Sequence, residues 1–479
     1  MKTAVLAIDQ GTTNSKALLV DPQGNVLASG SQLVPMRTPS PGWFTQPANQ
    51  LWQATMRAVD DALKAAPEVA VAGVAIANQR ESVVAWQADS GLPASEVIGW
   101  QDTRAVAQCQ NIAGQAGLVA DVTGLRLSPL FSAPKMAWLI NQLHPAGDIR
   151  VGTLDAYLVA RLTGGDAAEA GNASRTMLMN LDTLDWDDRL LDLFGIPRHQ
   201  LPPVVASNAG FGVVRPGSPI PTGTPVVAVM GDSHAALFAQ GATSGTAKVT
   251  YGTGSSVMVG VNRHPRNSGK VATTLAWLTQ AGPRYALEGN IIATGAALQA
   301  LATLLNVSVD HLAQLAVASD GDVTLSYVPA FAGLGAPYWD EAAKGVLVGL
   351  NATTSPTDLA LAGFDAIAQQ VCDIIDAMDT PVSAIAADGN GSTNAHLMQW
   401  QSDLSGRPVT ISRTAEASAA GVAAMAWRVL DPGLPPVVAQ TGVTYKPRRD
   451  ASWAADQRTR WADAVARSQG LAKPMGSVK

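Results

Sequence analysis

Cysteine, histidine and long apolar runs are scarce in this chain, and each scarcity argues against a class of protein. The 479 residues include only two cysteines, Cys109 and Cys372, so no disulfide framework is available and a reducing, cytoplasmic compartment is expected. The six histidines form neither an HExxH motif nor a close pair, which argues against a dedicated transition-metal site. The sequence shows no signal-peptide core and no run of about 18 apolar residues, so we expect a soluble protein without a membrane partner.

Charge is also scarce, and it is slightly negative. Charged residues make up 15% of the chain and hydrophobic residues 47%, a balance typical of a folded protein. The 32 basic and 38 acidic residues leave a net charge of −6, and no long basic run is present to attract a phosphate backbone. Nucleic acid is therefore not an expected partner. At roughly 150 residues per domain, the length predicts about two to three domains.

Two common nucleotide-binding motifs are missing. A P-loop requires GxxxxGK[ST], but the pair Gly269-Lys270 is preceded by His264 where the first glycine should stand. No GxGxxG follows the first predicted strand, so a dinucleotide-binding fold is disfavoured.

A strand, a hydroxyl-rich glycine turn and a second strand occur twice, about half the chain apart. The first pattern covers residues 4–20 and the second residues 248–259. Other apolar segments predict strands at 71–77 and 225–230, and helical periodicity is found at 49–64, 234–240, 293–305 and 356–378. This alternation predicts an α/β fold with two similar halves facing each other across a cleft, and a boundary near residues 240–248.

Two polar segments of the first half could carry chemistry, although each also has a purely structural interpretation. Between Asp9 and Lys16, a carboxylate at a strand end suits hydrated Mg²⁺, and a Gly-Thr turn suits phosphate oxygens. The alternative is a hairpin turn with solvated hydroxyls. Residues 78–81 (NQRE) could bind a hydroxylated ligand, or they could form a surface ion pair.

Two further segments lie between a predicted strand and a predicted helix. Asp232 could accept the proton of a hydroxyl during phosphoryl transfer, or it could serve as a plain helix N-cap. The glycine-rich residues 388–394 could bind the phosphates or ribose of a nucleotide, or simply connect two elements.

Together and in this order, these segments resemble the FGGY carbohydrate kinases, and within that family the glycerol kinases most. The similar segments extend from the first strand to about residue 430 and comprise 9–13, 78–81, 100–104, 172–178, 231–232, 251–254, 285–289, 329–331, 333–340, 398–399 and 401–403. The resemblance implies two ribonuclease-H-like domains, as in actin and Hsp70 ATPases, flanking a central cleft that closes on ATP and substrate. It implies an N-terminal domain at residues 1–242, a C-terminal domain at 243–450 and a tail at 451–479.

The resemblance also implies roles for particular residues. Asp232 would be the general base on the substrate hydroxyl, and Asp9 would help to hold Mg²⁺. The polyol or sugar would contact Arg80, Glu81 and Trp100. The residues expected on the phosphates and the rest of the ATP are Thr12, Thr13, Asn14, Lys16, Thr253, Gly295, Gln299, Gly391 and Asn394.

Four positions depart from the glycerol kinase pattern. Leu130 replaces a tyrosine of the substrate pocket, Ser233 replaces a glutamine, and Ser256 replaces an aromatic residue. Because the pocket walls shrink and hydrogen-bonding groups are lost, we expect a substrate larger than glycerol, either a longer polyol or a four- to five-carbon ketose. In the nucleotide loop, Asn390 replaces a glycine.

Several alternatives stay open at this point. The chain could be a glycerol kinase proper or a xylulokinase. An actin- or Hsp70-like ATPase that acts as a binding module would share the phosphate turns but would not need residues 78–81 or Asp232 in a substrate pocket. A degenerate kinase that only senses its ligand is disfavoured by the intact Asp9, Arg80 and Asp232. A homodimer is suggested only by analogy with the family.

Overall fold

The protein is described by a computed structural model over residues 2–143, 148–241, 245–264, 269–317, 324–413, 416–434 and 441–470. The predicted domain boundary at 242/243 lies outside the described residues.

In the described part of the first half, short strands alternate with helices. The elements in chain order are β1 (Lys2–Gln10), β2 (Asn14–Val20), β3 (Val26–Leu33), β4 (Thr45–Gln46), α1 (Ala48–Ala65), β5 (Val69–Asn78), β6 (Val83–Gln87), β7 (Val97–Ile98), α2 (Val106–Asn111), α3 (Ala116–Thr123), α4 (Ser132–Gln142), β8 (Ile149–Thr153), α5 (Leu154–Thr163), β9 (Ala168–Glu169), α6 (Ala170–Ser174), β10 (Met179–Asn180), β11 (Asp185–Trp186), α7 (Asp188–Phe194), β12 (Val204–Val205), β13 (Val226–Gly231) and α8 (Asp232–Ala239).

The second half contains longer helices. Its elements in chain order are β14 (Thr246–Tyr251), β15 (Ser255–Val261), β16 (Ala272–Thr279), β17 (Gly282–Ile291), α9 (Gly295–Leu305), α10 (Val309–Val317), β18 (Ser326–Val328), β19 (Val346–Val348), α11 (Pro356–Ala377), β20 (Ala384–Asp388), α12 (Ala395–Ser405), β21 (Val409–Ser412), α13 (Ala417–Leu430), β22 (Thr441–Tyr445) and α14 (Ala451–Gly470).

The main sheets of the two halves share one topology. In the first, the order is β13-β5-β1-β2-β3; β2 is antiparallel to both of its neighbours, whereas β5 and β13 run parallel to β1. In the second, β21-β20-β14-β15-β17 repeats this order and these directions, with β16 and β22 added at the edges. The predicted repeat of strand, turn and strand is therefore part of a repeated sheet, and the predicted alternation of strands and helices is confirmed.

The predicted helices are found with small shifts at their ends. The helix predicted to begin at residue 234 begins two residues earlier, at Asp232, because its N-cap is Gly231 in extended conformation. Pro356 lies in the first turn of α11 behind a capping box of Ser355 and Asp358, where a proline is tolerated.

One helix from the second half of the sequence belongs to the core of the first sheet. Helix α13 buries an alanine-rich face against β1, β5 and β13, and it crosses α8 closely. At the crossing, a Cβ on Gly421 would overlap the carbonyl oxygen of Ala235, so only glycine permits this approach. The chain therefore returns to its first sheet after completing most of the second.

The segment predicted as a tail, residues 451–479, begins with α14. This helix buries Trp461, Ala464 and Val465 in the second hydrophobic core, while residues 471–479 lie outside the described part. In the described residues, no single helix is long and apolar enough to cross a bilayer; α9 and α10 pass that test only as a pair bent by 91°.

Candidate active site

The ends of three strands bring the predicted chemistry-bearing residues of the first half together. In the register of the sheet, Gln10 lies beside Asn78, and Asn78 lies beside Gly231. Because β1, β5 and β13 are parallel, their carboxyl ends meet at one edge of the sheet. Asp9, residues 78–81 and Asp232 therefore share this edge.

Asp232 is the first residue of α8 and does not cap it. Its Oδ1 accepts a hydrogen bond of 2.6 Å from the backbone N–H of Ser233 and lies 3.4 Å from Nε of Arg80. About a third of the side chain (34%) is open to solvent. Burial raises the pKa of the Asp232 carboxyl, although Arg80 and the Ser233 N–H oppose the rise. The N-cap interpretation is thus wrong, since Gly231 occupies that position.

Arg80 and Glu81 belong to a buried network that connects the two halves. The two terminal guanidinium nitrogens of Arg80 donate to the carboxylate of Glu288 at 2.8 Å. Arg175 pairs with Glu81 at 2.6 Å and with Glu288 at 3.1 Å. Although burial opposes ionisation of Glu288, the guanidiniums of Arg175 and Arg80 hold its pKa well below the usual range. These residues are not a surface ion pair.

The turn between β1 and β2 is tied to its surroundings by side-chain hydrogen bonds. The Thr12 hydroxyl donates to Gln79 at 3.2 Å and accepts from the indole N–H of Trp100 at 3.1 Å. The N–H of Gly11 donates to the carbonyl of Asn14, and Thr13 is exposed at the tip of the turn. Thr12, Thr13, Asn14 and Trp100 therefore lie around one turn.

Asp9 and Lys16 are neighbours across the same two strands. Burial, together with the carboxylates of Asp232 and Glu416, raises the pKa of Asp9 to about 7, while Lys16 opposes the rise. The Lys16 ammonium contacts both carboxylate oxygens of Glu416, at 2.6 and 2.7 Å. The carboxylates of Asp9, Asp232 and Glu416 outnumber the ammonium of Lys16 here. Such an excess of negative charge favours the binding of a divalent cation.

Three of the four positions that differ from the glycerol kinase pattern lie in segments that contact this network. The Leu130 carbonyl and the Pro129 carbonyl accept from the ammonium of Lys135, and the Ser132 hydroxyl donates to the Glu81 carbonyl at 3.2 Å. Ser256 places its hydroxyl 3.5 Å from Glu288, while Ser233 contacts Asp232 through its backbone.

The predicted nucleotide residues line one cavity of about 710 Å³ in the second half. A Cβ on Gly295 would lie 2.8 Å from the Gly252 carbonyl oxygen, so glycine allows helix α9 to begin against the turn that follows β14. Apolar side chains such as Leu298, Phe364 and Ile367 form the walls. The predicted residues found in this cavity are Thr253, Gly295, Gln299, Gly391 and Asn394, together with Asn390.

Some residues of the site were not assigned a role from the sequence. Arg175 and Glu288 lie within the family-like segments 172–178 and 285–289, and this resemblance was the one sign in the sequence that they belong to the site. No local pattern indicates that the two residues pair with each other. Glu416 is separated from Lys16 by 400 positions and gives no such signal.

Comparison with known proteins identifies the class. The N-terminal domain of the FGGY family of carbohydrate kinases matches residues 4–239, and the C-terminal domain of that family matches residues 247–429. The chain belongs to the FGGY family and is a sugar or polyol kinase. Membership of this family implies the use of ATP.

Two curated relatives and two solved structures show the range of the similarity. The chain is 41% identical to the apulose kinase of Pectobacterium atrosepticum over 444 residues, 89% of each chain, and 37% identical to the glycerol kinase of Alkalilimnicola ehrlichii over 493 residues, 98% of this chain and 99% of that one. Plasmodium falciparum glycerol kinase with ADP superposes with a TM-score of 0.92 at 25% identity over 98% of each chain. A xylulose kinase from Lactobacillus acidophilus gives 0.89 at 21% over the full length of both.

These comparisons confirm the predicted fold. The repeated sheet topology and the match to glycerol and xylulose kinases identify two domains of the ribonuclease-H-like type found in actin and Hsp70.

Proposed function

We propose that this kinase transfers the γ-phosphate of ATP to a terminal hydroxyl of a ketose or polyol larger than glycerol. The observation that carries the proposal is the position of Asp232. Its carboxylate is partly open, contacts Arg80, and lies at the edge of the sheet that also holds Asp9.

Asp232 would accept the proton of the attacking hydroxyl. Burial raises its pKa, which makes the carboxylate a better proton acceptor, while Arg80 keeps it ionised and fixes its orientation. Since the transition state of phosphoryl transfer is loose, holding the acceptor in line contributes more than increasing its nucleophilicity. Arg80 and Glu81 would hold neighbouring hydroxyls of the substrate and point the terminal one at the phosphorus.

The turn after β1 would bind the phosphates, and its charges fit a divalent cation. Burial and the nearby carboxylates of Asp232 and Glu416 raise the pKa of Asp9 to about 7. A bound divalent cation would stabilise the ionised form of Asp9. Mg²⁺ commonly binds proteins through one or two carboxylates and the phosphates of the substrate, so Asp9 would help to hold it here. When bound, Mg²⁺ would neutralise charge on the transferred phosphoryl group.

The wall positions support a substrate larger than glycerol. Ser233 and Ser256 lie next to Asp232 and Glu288, and Leu130 lies two residues before Ser132, whose hydroxyl donates to the Glu81 carbonyl. Leu130 and Ser256 are smaller than their glycerol kinase counterparts, and Ser233 lacks the amide of its counterpart. A relative at 41% identity is named an apulose kinase, and the ending -ulose denotes a ketose. We therefore propose four- and five-carbon ketoses as the substrate class.

An ADP-release assay over glycerol, erythritol, erythrulose, xylulose, ribulose and apulose tests the substrate class. We expect the highest kcat/KM for a ketose; the highest kcat/KM for glycerol would contradict the proposal. In the same assay, Asp232→Asn should lower kcat by about 10²–10⁴-fold. In a separate binding measurement, its affinity for ADP should stay within about threefold of the wild type. The control Asp121→Asn changes an exposed aspartate of α3 and should match the wild type. A near-normal kcat for Asp232→Asn would remove Asp232 from the role of base.

A further inference from the structure

A row of three polar side chains crosses the second sheet. Thr250 of β14 pairs with Ser256 of β15, and Ser256 pairs with Asn290 of β17. Directly paired residues in antiparallel strands present their side chains on one face of the sheet. All three residues are partly exposed.

This face of the sheet is directed toward the first half of the protein. Glu288, two residues before Asn290, lies on the same face, and its carboxylate accepts two hydrogen bonds from the Arg80 guanidinium. Met258, two residues after Ser256, packs with Leu237 of α8, the helix that begins at Asp232. The opposite face carries Val257 and Ile291, which belong to the second core.

The polar row starts where the proposed substrate contacts end. The Ser256 hydroxyl lies 3.5 Å from Oε1 of Glu288, whose two oxygens bind the guanidinium of Arg80. The guanidinium Nε in turn lies 3.4 Å from Asp232. Asp232, Arg80, Ser256 and Asn290 thus follow one another across the site.

The row also contains hydrogen-bonding capacity that the protein does not use. The Thr250 hydroxyl is buried without a partner, and within the described residues the Asn290 amide makes no side-chain hydrogen bond. A buried polar group without a partner costs free energy, so a ligand that supplies a partner to the Thr250 hydroxyl is favoured. The Asn290 amide is partly exposed and is therefore accessible to a ligand.

We infer that Asn290 is a specificity-determining residue that binds the oxygens of substrate carbons remote from the phosphorylated end. This inference rests on the proposed function. An amide offers both a carbonyl acceptor and N–H donors, which matches the adjacent carbonyl and hydroxyl groups of a ketose. Glycerol, with three carbons, is held by Arg80, Glu81 and Asp232 and gains nothing from the row. Asn290 therefore selects four- and five-carbon ketoses over glycerol.

The test compares the wild type and Asn290→Ala on glycerol and on the best ketose of the panel. We expect kcat/KM for the ketose to fall by about tenfold or more, mainly through KM, because a hydrogen-bonded group is lost. We expect kcat/KM for glycerol and the affinity for ADP to stay within about threefold. The control Asn49→Ala changes an exposed asparagine of α1 and should leave every value unchanged.

Ser256→Phe provides a second, independent variant. Restoring a large side chain beside Asn290 should close the row, so the ratio of glycerol to ketose kcat/KM should rise by about tenfold or more. If Asn290→Ala does not fold, Asn290→Asp keeps the shape, removes the N–H donors and should give the same selective loss.

The outcomes separate this inference from the proposed function. If the wild type phosphorylates ketoses but Asn290→Ala keeps its full ketose kcat/KM, the role of Asn290 is wrong and the proposed function stands. An equal loss on glycerol and ketose would also contradict the role of Asn290, because it would indicate general damage to the pocket. If the folded wild type phosphorylates no ketose of the panel, the proposed substrate class itself is wrong.

Discussion

The ammonium of Lys16 lies 2.6 Å from one carboxylate oxygen of Glu416 and 2.7 Å from the other, although 400 positions of sequence separate the two residues. Glu416 is the N-cap residue of α13 and has a left-handed backbone (φ 54°), which is uncommon for a residue other than glycine. The lysine expected to contact the phosphates of ATP is therefore already paired with an anion.

Replacing Glu416 by glutamine should strengthen nucleotide binding. Without the competing carboxylate, Lys16 is free to pair with a phosphate, and we expect the Kd for ADP to fall by about two- to tenfold at low salt. Isothermal titration calorimetry measures this change. Glu96→Gln, which removes an exposed partner of Arg37, is the matched control. An increase in Kd would mean that Glu416 supports nucleotide binding instead.

Replacing Glu288 by glutamine should harm both stability and substrate binding. The change leaves the buried Arg80 and Arg175 without their shared counter-charge, and removing one partner of such a network costs about 3–5 kcal/mol. We expect a lower Tm by thermal unfolding and a higher KM for the sugar. Glu341→Gln, an exposed position, should change neither. An unchanged Tm would show that the charge of Glu288 is not needed to hold the two arginines.

Replacing Gly295 by valine should weaken nucleotide binding selectively. A Cβ at this position would lie 2.8 Å from the Gly252 carbonyl oxygen, so the turn and the start of α9 must move apart. We expect the KM for ATP to rise by about tenfold or more while the KM for the sugar stays within about twofold. Gly117→Ala, where an added Cβ meets nothing within 4 Å, serves as the control. An equal rise in both KM values would contradict a purely nucleotide role.

Lys135 predicts a pH dependence of stability. Burial lowers its pKa from 10.5 to about 7, so between these values the unfolded chain binds the proton more tightly than the folded protein does. Stability from this group therefore rises with pH through that window and is reduced below about pH 7. Lys135→Met removes the titration.

The measurement is the Tm difference between Lys135→Met and the wild type at several pH values. Between pH 7 and pH 9, we expect the wild type to become more stable relative to the variant. The relative gain corresponds to at most about 2–3 kcal/mol in the free energy of unfolding. A constant offset from the lost hydrogen bonds to Pro129 and Leu130 does not affect the slope. Lys344→Met, at an exposed position, should show no slope, and a flat difference for Lys135→Met would contradict its lowered pKa.

Much of the fold could be predicted because its signals are local. The two patterns of strand, turn and strand at 4–20 and 248–259 are short apolar runs interrupted by glycine and hydroxyl residues, and each became an antiparallel pair. The proximity of Asp9 to Asp232 also follows from simple reasoning, since both lie at the carboxyl ends of parallel buried strands.

The rest depends on contacts between distant parts of the chain. The pair of Arg80 and Glu288 spans 208 positions, and nothing in either local sequence specifies the partner. Lys135 is fully buried, although lysine is rarely buried, because two backbone carbonyls receive its ammonium. The placement of α13 could not be predicted either, since an alanine-rich helix fits many surfaces.

The position of α13 determines how this chain can be made. The first sheet is synthesised before α13, so the face of the sheet that packs against α13 stays uncovered until the ribosome has released residue 430. A fragment that stops after α8 would expose Val5, Ala75 and Val227 to water and should aggregate. The first half is therefore not expected to fold without α13, and gene fragments or fusions should keep the first 430 residues intact.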